Sequence, residues 1–214
     1  MRFLITRRNQ EKQGETRKNK EKQMKTIPTK TWYLEMRSEP AGETLLSERM
    51  LSEGLPKELE PEGLLPEGPL PEGFKFSHWK PSTEEYLEMY KAVGGGYNWV
   101  DRILMPELKL KEILQSIHTE LLLLSYNGDP AGFAECSHAV EGETELVYFG
   151  LTEKYTGRKA GFPFLMKVIR ECWKYPINRL WLHTCDLDHP AALPMYQKAG
   201  FVVYKTETIM QPVK

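Results

Sequence analysis

Residues 143 to 185 read as strand, short loop, helix, strand, and no other feature of the chain constrains the fold as strongly. "ETELVYFGLTE" is an apolar strand, and "RLWLHTC" is another. Between them "GFPFLMKVIRECWKY" places Phe164, Leu165, Val168, Ile169 and Cys172 on one helical stripe, with Pro163 in the first turn, where a helix accepts it. Two strands joined by a helical crossover lie parallel, because only a connection of that length returns the chain to the same end of the sheet. The loop from Leu151 to Gly161 carries Gly157, Arg158, Lys159, the small Ala160 and Gly161. Backbone N–H groups gathered at a helix N-terminus make an anion site, and Lys154, Arg158 and Lys159 add positive charge. A tight turn between packed elements accounts for the same glycines, so the loop alone leaves both readings open.

The remaining elements fix the class. "TKTWYLEMR" alternates Trp32, Leu34 and Met36 against Tyr33 and Glu35, predicting a strand over 31–37. "STEEYLEMYKAVG" opens on Ser82 or Thr83 as a helix cap, with Glu84 and Glu85 in the first turn, and ends at Gly94. "PELKLKEILQSI" is a second helix with Pro106 at its start. "TELLLLSYNGDPAGFAECSHA" is a hairpin with "NGDP" as its turn and a second strand from Ala131. "HPAALPMYQKAG" is a short helix closed by Gly200, and "FVVYKTETI" is a last strand. The order β, α, α, β, β, β, α, β, α, β predicts a mixed α/β fold: a mostly antiparallel twisted sheet with one central parallel pair, flanked by helices.

Composition divides the chain further. Residues 1–30 are basic and nearly free of large apolar side chains after Ile5, which predicts a disordered arm. Residues 38–73 form an acidic linker or long loop in which Pro-Glu-Gly recurs at Pro61, Pro66 and Pro71, too dense in proline and glycine for helix or strand. The domain core is expected over 74–214. A net charge of -1 gives no general pull towards nucleic acid, and a basic-arm role in nucleic-acid binding is the lesser expectation. Three cysteines without regular spacing suit a reducing, cytoplasmic setting. No apolar run approaches a membrane span, and "MRFLITRR" is too short for a secretory signal. A monomer or homodimer is expected.

The run from Glu145 to Phe201 resembles the GCN5-related N-acetyltransferases, the acetyl-CoA-dependent GNAT superfamily. Their loop Gln/Arg-x-x-Gly-x-Gly/Ala stands here as Thr156-Gly157-Arg158-Lys159-Ala160-Gly161, with the last glycine kept, threonine at the first position and lysine at the first glycine. Their helix and exit turn Asn-x-x-Ala-x-x-Leu-Tyr-x-x-x-Gly-Phe is matched at Ala192, Tyr196, Gly200 and Phe201, with His189 in place of asparagine. The resemblance implies acetyl-CoA as cosubstrate, no metal, and direct transfer of acetyl to a small-molecule or peptide amine. A catalytically degenerate CoA-binding or interaction module is the alternative.

It also implies roles. The pantetheine arm would enter a splay between the two parallel strands and pair with Phe149 and Leu151, with Gly150 at a bulge or close backbone approach. Amides from Gly157 to Gly161 would hold the pyrophosphate, after Thr156; Lys159 is expected in helical backbone, where glycine is not required. His189 and Ala192 would flank the pantetheine. Tyr196 would protonate the departing thiolate, and Glu145 would deprotonate the amine through water. Tyr97, Trp99, Asp101 and His183 would form the acceptor wall, Asp101 attracting an amine and Trp99 facing a cation. The cluster "HTCDLDH" also admits a metal site or a Cys185 nucleophile with His183 or His189, both weaker than the acetyltransferase reading.

Overall fold

The computed structural model describes residues 25–40 and 69–213. The arm over residues 1–24 and the Pro-Glu-Gly tract over 41–68 lie outside the described residues. Seven strands are described: β1 (Thr26–Met36), β2 (Phe74–His78), β3 (Thr119–Tyr126), β4 (Asp129–Ser137), β5 (Glu143–Leu151), β6 (Arg179–Cys185) and β7 (Val202–Pro212). They form one sheet in the order β2-β3-β4-β5-β6-β1-β7. Every neighbouring pair is antiparallel except β5 and β6, the predicted parallel pair. The helices are α1 (Thr83–Gly94), α2 (Asp101–Leu104), α3 (Glu107–Gln115), α4 (Gly161–Trp173) and α5 (Ala192–Lys198).

Local signals explain much of this. Ser82 caps α1 in a reciprocal arrangement: its hydroxyl accepts from the Glu85 amide while the Glu85 carboxylate accepts from the Ser82 amide. Asn127 and Gly128 both take positive φ, as a two-residue hairpin turn with the sheet's twist demands. Three elements differ from expectation. β1 begins at Thr26, inside the segment assigned to the arm, and lies between β6 and β7, pairing with both. β2 follows the acidic tract and only Phe74 in it is buried, so no alternation marked it as a strand. α2 is a single turn between the two helices that the sequence predicted.

The sheet buries two layers. Phe164, Leu165, Val168, Ile169 and Cys172 of α4 pack with Leu122, Leu124, Ala134, Leu146, Leu180 and Leu182, and Tyr196 and Phe201 extend this core. On the other face Tyr86, Met89, Tyr90 and Val93 of α1, with Leu110 of α3, cover Leu121 and Phe133. Glu135 of β4 is only 2% exposed in this second layer, where its carboxylate accepts from the Tyr86 hydroxyl and pairs with the Arg102 guanidinium. That pair ties α2 to the middle of the sheet. Among the described residues no helix is long and apolar enough to cross a membrane.

Candidate active site

Strands β5 and β6 pair over three positions only, Glu143 with Arg179, Thr144 with Leu180 and Glu145 with Trp181. β5 then continues to Leu151, still paired with β4. β6 continues to Cys185, still paired with β1. The two parallel strands therefore part beyond Glu145, and among the described residues one backbone edge of β5 from Leu146 onward has no strand beside it. The cause lies in the other ladder. Tyr148 stands opposite Glu135 and Leu146 opposite Cys136, so Val147 is an extra residue, a bulge that bends β5 where the parallel pairing ends. Gly150, expected at a bulge or a close approach, serves the second purpose: a Cβ there would sit 2.4 Å from Cγ1 of Val93 on α1.

A cavity of about 670 Å³ fills the splay. It brings together, from the residues singled out in the sequence, Phe149, Gly150, Leu151, Thr156, Gly157, Lys159, Gly161, His189, Ala192, Tyr196, Tyr97, Trp99, Asp101 and His183. Arg158 does not line it, because its guanidinium lies over the rings of Tyr126 and Tyr155, 5.2 and 5.3 Å from their centres. Ala160 is fully buried, and its carbonyl accepts the first helical bond from the Phe164 amide. Glu145 stands behind the cavity rather than on it.

At the end beyond Leu151 the chain makes one 3-10 turn, Glu153–Tyr155, before reaching α4. Gly157 has φ +79° and Lys159 φ +60°. Lys159 is thus in the left-handed region and not in helical backbone as expected, so the position that carries glycine in the family pattern is one where lysine is strained. Among the described residues none of the amides from Gly157 to Gly161 donates to a backbone carbonyl. They open the 13-residue α4, whose N-terminus carries partial positive charge.

Tyr196 is buried beside Phe149 and Phe201. Burial, with the Asp188 carboxylate second, pushes its phenol well above the ordinary range, so the group stays protonated. Nδ1 of His183, which lines the cavity, is 3.7 Å from Oε1 of Glu145 behind it. The Glu145 carboxylate raises the imidazole above its ordinary value, outweighing the burial that acts in the opposite direction. Cys185 is a poor nucleophile, for burial and then Asp188 push its thiol up to about 11. His189 spends Nδ1 on the Ala191 amide at 3.0 Å, with its ring edge-on to Tyr97.

Asp188 is the junction that sequence reading missed as such. It accepts from the Thr184 hydroxyl and the Cys185 amide, both at 2.9 Å, and from Nε1 of Trp99 at 3.4 Å. It therefore links the end of β6 to the loop between α1 and α2. Trp99 lies face-on to Gly94, where a Cβ would meet the indole at 2.3 Å, and packs against Tyr90 and Tyr148. Tyr148 in turn reaches the Asp101 carboxylate at 3.5 Å. The acceptor side thus combines aromatic rings with Asp101, Glu145 and Asp188.

The arrangement has relatives. No curated protein matches the chain in sequence. Solved structures of GCN5-related N-acetyltransferases from Sphaerobacter thermophilus (14% identity, TM-score 0.54) and Kribbella flavida (16%, 0.53) cover 87% and 89% of this chain. The chain spans 52% and 60% of those two proteins, little more than half their length. The ribosomal-protein-S18-alanine N-acetyltransferase of Escherichia coli is similar over 66% of this chain and 94% of its own, at 17% identity and TM-score 0.51. At such identities these structures speak for the fold. A sequence model of the acetyltransferase (GNAT) family matches residues 85–201, more than half of the 214, and with the splayed parallel pair this places the chain in the GNAT acetyltransferase family.

Proposed function

We propose that the protein is an acetyl-CoA-dependent N-acetyltransferase that passes acetyl directly to a primary amine in a ternary complex. The observation that carries this reading is the unpaired edge of β5 beyond Glu145, running into a helix N-terminus with undonated amides. A pantetheine arm is itself amide-bearing, so it can complete the missing ladder at Phe149 and Leu151. Its diphosphate then falls at the amides of Gly157 to Gly161, with the Lys159 charge beside them. Ala192 and His189 flank the arm.

The chemistry follows from what faces the cavity. The amine nitrogen attacks the thioester carbonyl, a β5 amide steadies the oxyanion, the carbon–sulfur bond breaks, and Tyr196 donates its proton to the thiolate. An attacking ammonium must first lose a proton, since its pKa is about 10. His183 lines the cavity and Glu145 stands behind it, so we assign proton acceptance to His183, directly or through water, and a positioning role to Glu145. Asp101 and the aromatic wall of Tyr97 and Trp99 draw in a cationic acceptor, a small-molecule or peptide amine. A cytoplasmic setting agrees with the uncrosslinked cysteines.

The test is release of free thiol from acetyl-CoA over a panel of amines. Amine-dependent release is the expected result. Calorimetric binding of acetyl-CoA without release for any amine would instead favour the binding-module reading, to which the strained Lys159 lends support. No binding at all would remove both.

A further inference from the structure

The described residues hold a second group of ligating side chains that shares no residue with the cavity. His78 ends β2, Glu120 stands near the start of β3, Glu171 lies in the last turn of α4, and His138 follows β4. Nδ1 of His78 is 3.6 Å from Oε1 of Glu120, and its Nε2 is 3.8 Å from Oε2 of Glu171. One donor atom from each of these three side chains lies within 4.8 Å of the others. On the far side of Glu120, Oε2 faces Nε2 of His138 at 3.4 Å.

The His138 imidazole gives this group its meaning. Its side chain is 8% exposed, and both its Nε2 and Oε2 of Glu120 are buried without a hydrogen-bond partner among the described residues. Buried polar atoms are almost always satisfied; at 3.4 Å these two make an ion contact but no well-formed hydrogen bond, which leaves both open to a shared ion. The ring is not free to turn away: Nδ1 is 2.8 Å from the Thr144 hydroxyl, and Tyr175 stacks on it at 3.8 Å. Donors on one tetrahedral ion with bonds of about 2.0–2.2 Å sit roughly 3.3–3.6 Å apart. The spacings around Glu120 fall at or near that range, whereas Glu171 lies 3.8 Å from the other ring nitrogen of His78 and would close in on the ion by a side-chain turn.

We propose that His78, Glu120 and Glu171, completed by His138, bind a divalent transition-metal ion of the zinc class. Imidazole and carboxylate donors suit such an ion, and two carboxylates balance its charge. His78 supplies one ring nitrogen. His138 either ligates through Nε2 or holds the second oxygen of Glu120, the outer contact that metal-bound carboxylates require. The Lys174 ammonium reaches both oxygens of Glu171 at 2.7 Å and competes for it, but an exposed ion pair of this kind is weak. The ion joins the edge strand β2 to β3 and to the end of α4, so its part is structural. The four residues lie far apart in sequence, with no ligand spacing to betray them.

The full chain, stripped with a chelator and dialysed, is titrated with zinc chloride by calorimetry, with thermal melting followed in parallel. One zinc per chain and a melting point that rises with zinc are expected. His78→Ala and Glu171→Gln, both at partly exposed positions, should each weaken binding at least tenfold, whereas His183→Ala in the cavity should leave it unchanged. The proposal fails if zinc does not bind, if both ligand variants bind it as tightly as the parent, or if His183→Ala abolishes binding.

Discussion

On its β4 side strand β5 is paired from Glu145 to Leu151, interrupted only at Val147, whereas on its β6 side pairing stops at Glu145. The paired flank rests on a buried polar group: Glu135 holds Tyr86 and Arg102, and Arg102 also lies over the Tyr148 ring. The open flank carries the undonated amides, the protonated phenol of Tyr196 and the His183–Glu145 pair. The difference teaches that the cleft is not general looseness. One ladder is kept paired so that the other can be left open, and the backbone amides free to take a ligand lie on the open side.

The two flanks should therefore answer mutation in different observables. The largest effect is expected on the paired side. Arg102→Met leaves the Glu135 charge buried and half-partnered, and should cost about 3–5 kcal/mol in chemical denaturation. A loss under about 1 kcal/mol would mean that the pair does not brace the sheet. On the open side, Tyr196→Phe should lower kcat about 100-fold or more while acetyl-CoA affinity moves little. Equal turnover by the variant would take the acid role from Tyr196.

Gly150→Ala tests the contact between the flanks. Its Cβ meets Val93, and overpacking of this kind costs roughly 1–3 kcal/mol. Val93→Ala should restore the loss, and a failure of rescue would locate the strain elsewhere. Lys159→Gly relieves a left-handed backbone and should stabilise the fold by about 1 kcal/mol, read as a raised melting point. No gain would show that the loop relaxes around lysine.

The pH response sharpens the open side further. His183 must be neutral to accept a proton, and Glu145 raises its pKa, so Glu145→Gln should move the acidic limb of kcat/KM to lower pH. An unmoved limb would leave proton removal to water alone. While Glu145 is ionised, the same pairing adds stability that is fully present just below a pH of about 6.5 and is lost as pH rises through the raised value. Denaturation midpoints of parent and Glu145→Gln should accordingly differ most in mildly acidic solution and converge in base.

Legibility in the sequence followed the range of the interactions. The α1 cap, the hairpin at Asn127 and Gly128 (two residues shorter in its turn than expected) and the α4 stripe depend on neighbours within a few positions, and each was readable. β2 was not, because Phe74 alone in it is buried and its strand character comes from pairing with β3. Glu135 gave one unused signal, a lone acid in the apolar run "AGFAEC", which needs a partner if that strand is interior. Lys159 was misplaced because the same residue fits a helix turn or a left-handed corner, and only the path from β5 to α4 selects between them. Glu145 was found as a carboxylate on the right strand, but its place behind His183 depends on the register of β5 with β6.

By itself the sequence determined most elements of the domain, the parallel crossover, and the family motifs on either side of it, since those are set by periodicity, caps and turns along one stretch of chain. Only the tertiary structure decided where β1 inserts, where the bulge at Val147 opens the sheet, which way Arg158 and Lys159 turn, and that His78, Glu120, His138 and Glu171 meet. Those outcomes depend on contacts between residues far apart in the chain, and a linear pattern carries no record of distances that exist only after the sheet has closed on its helices.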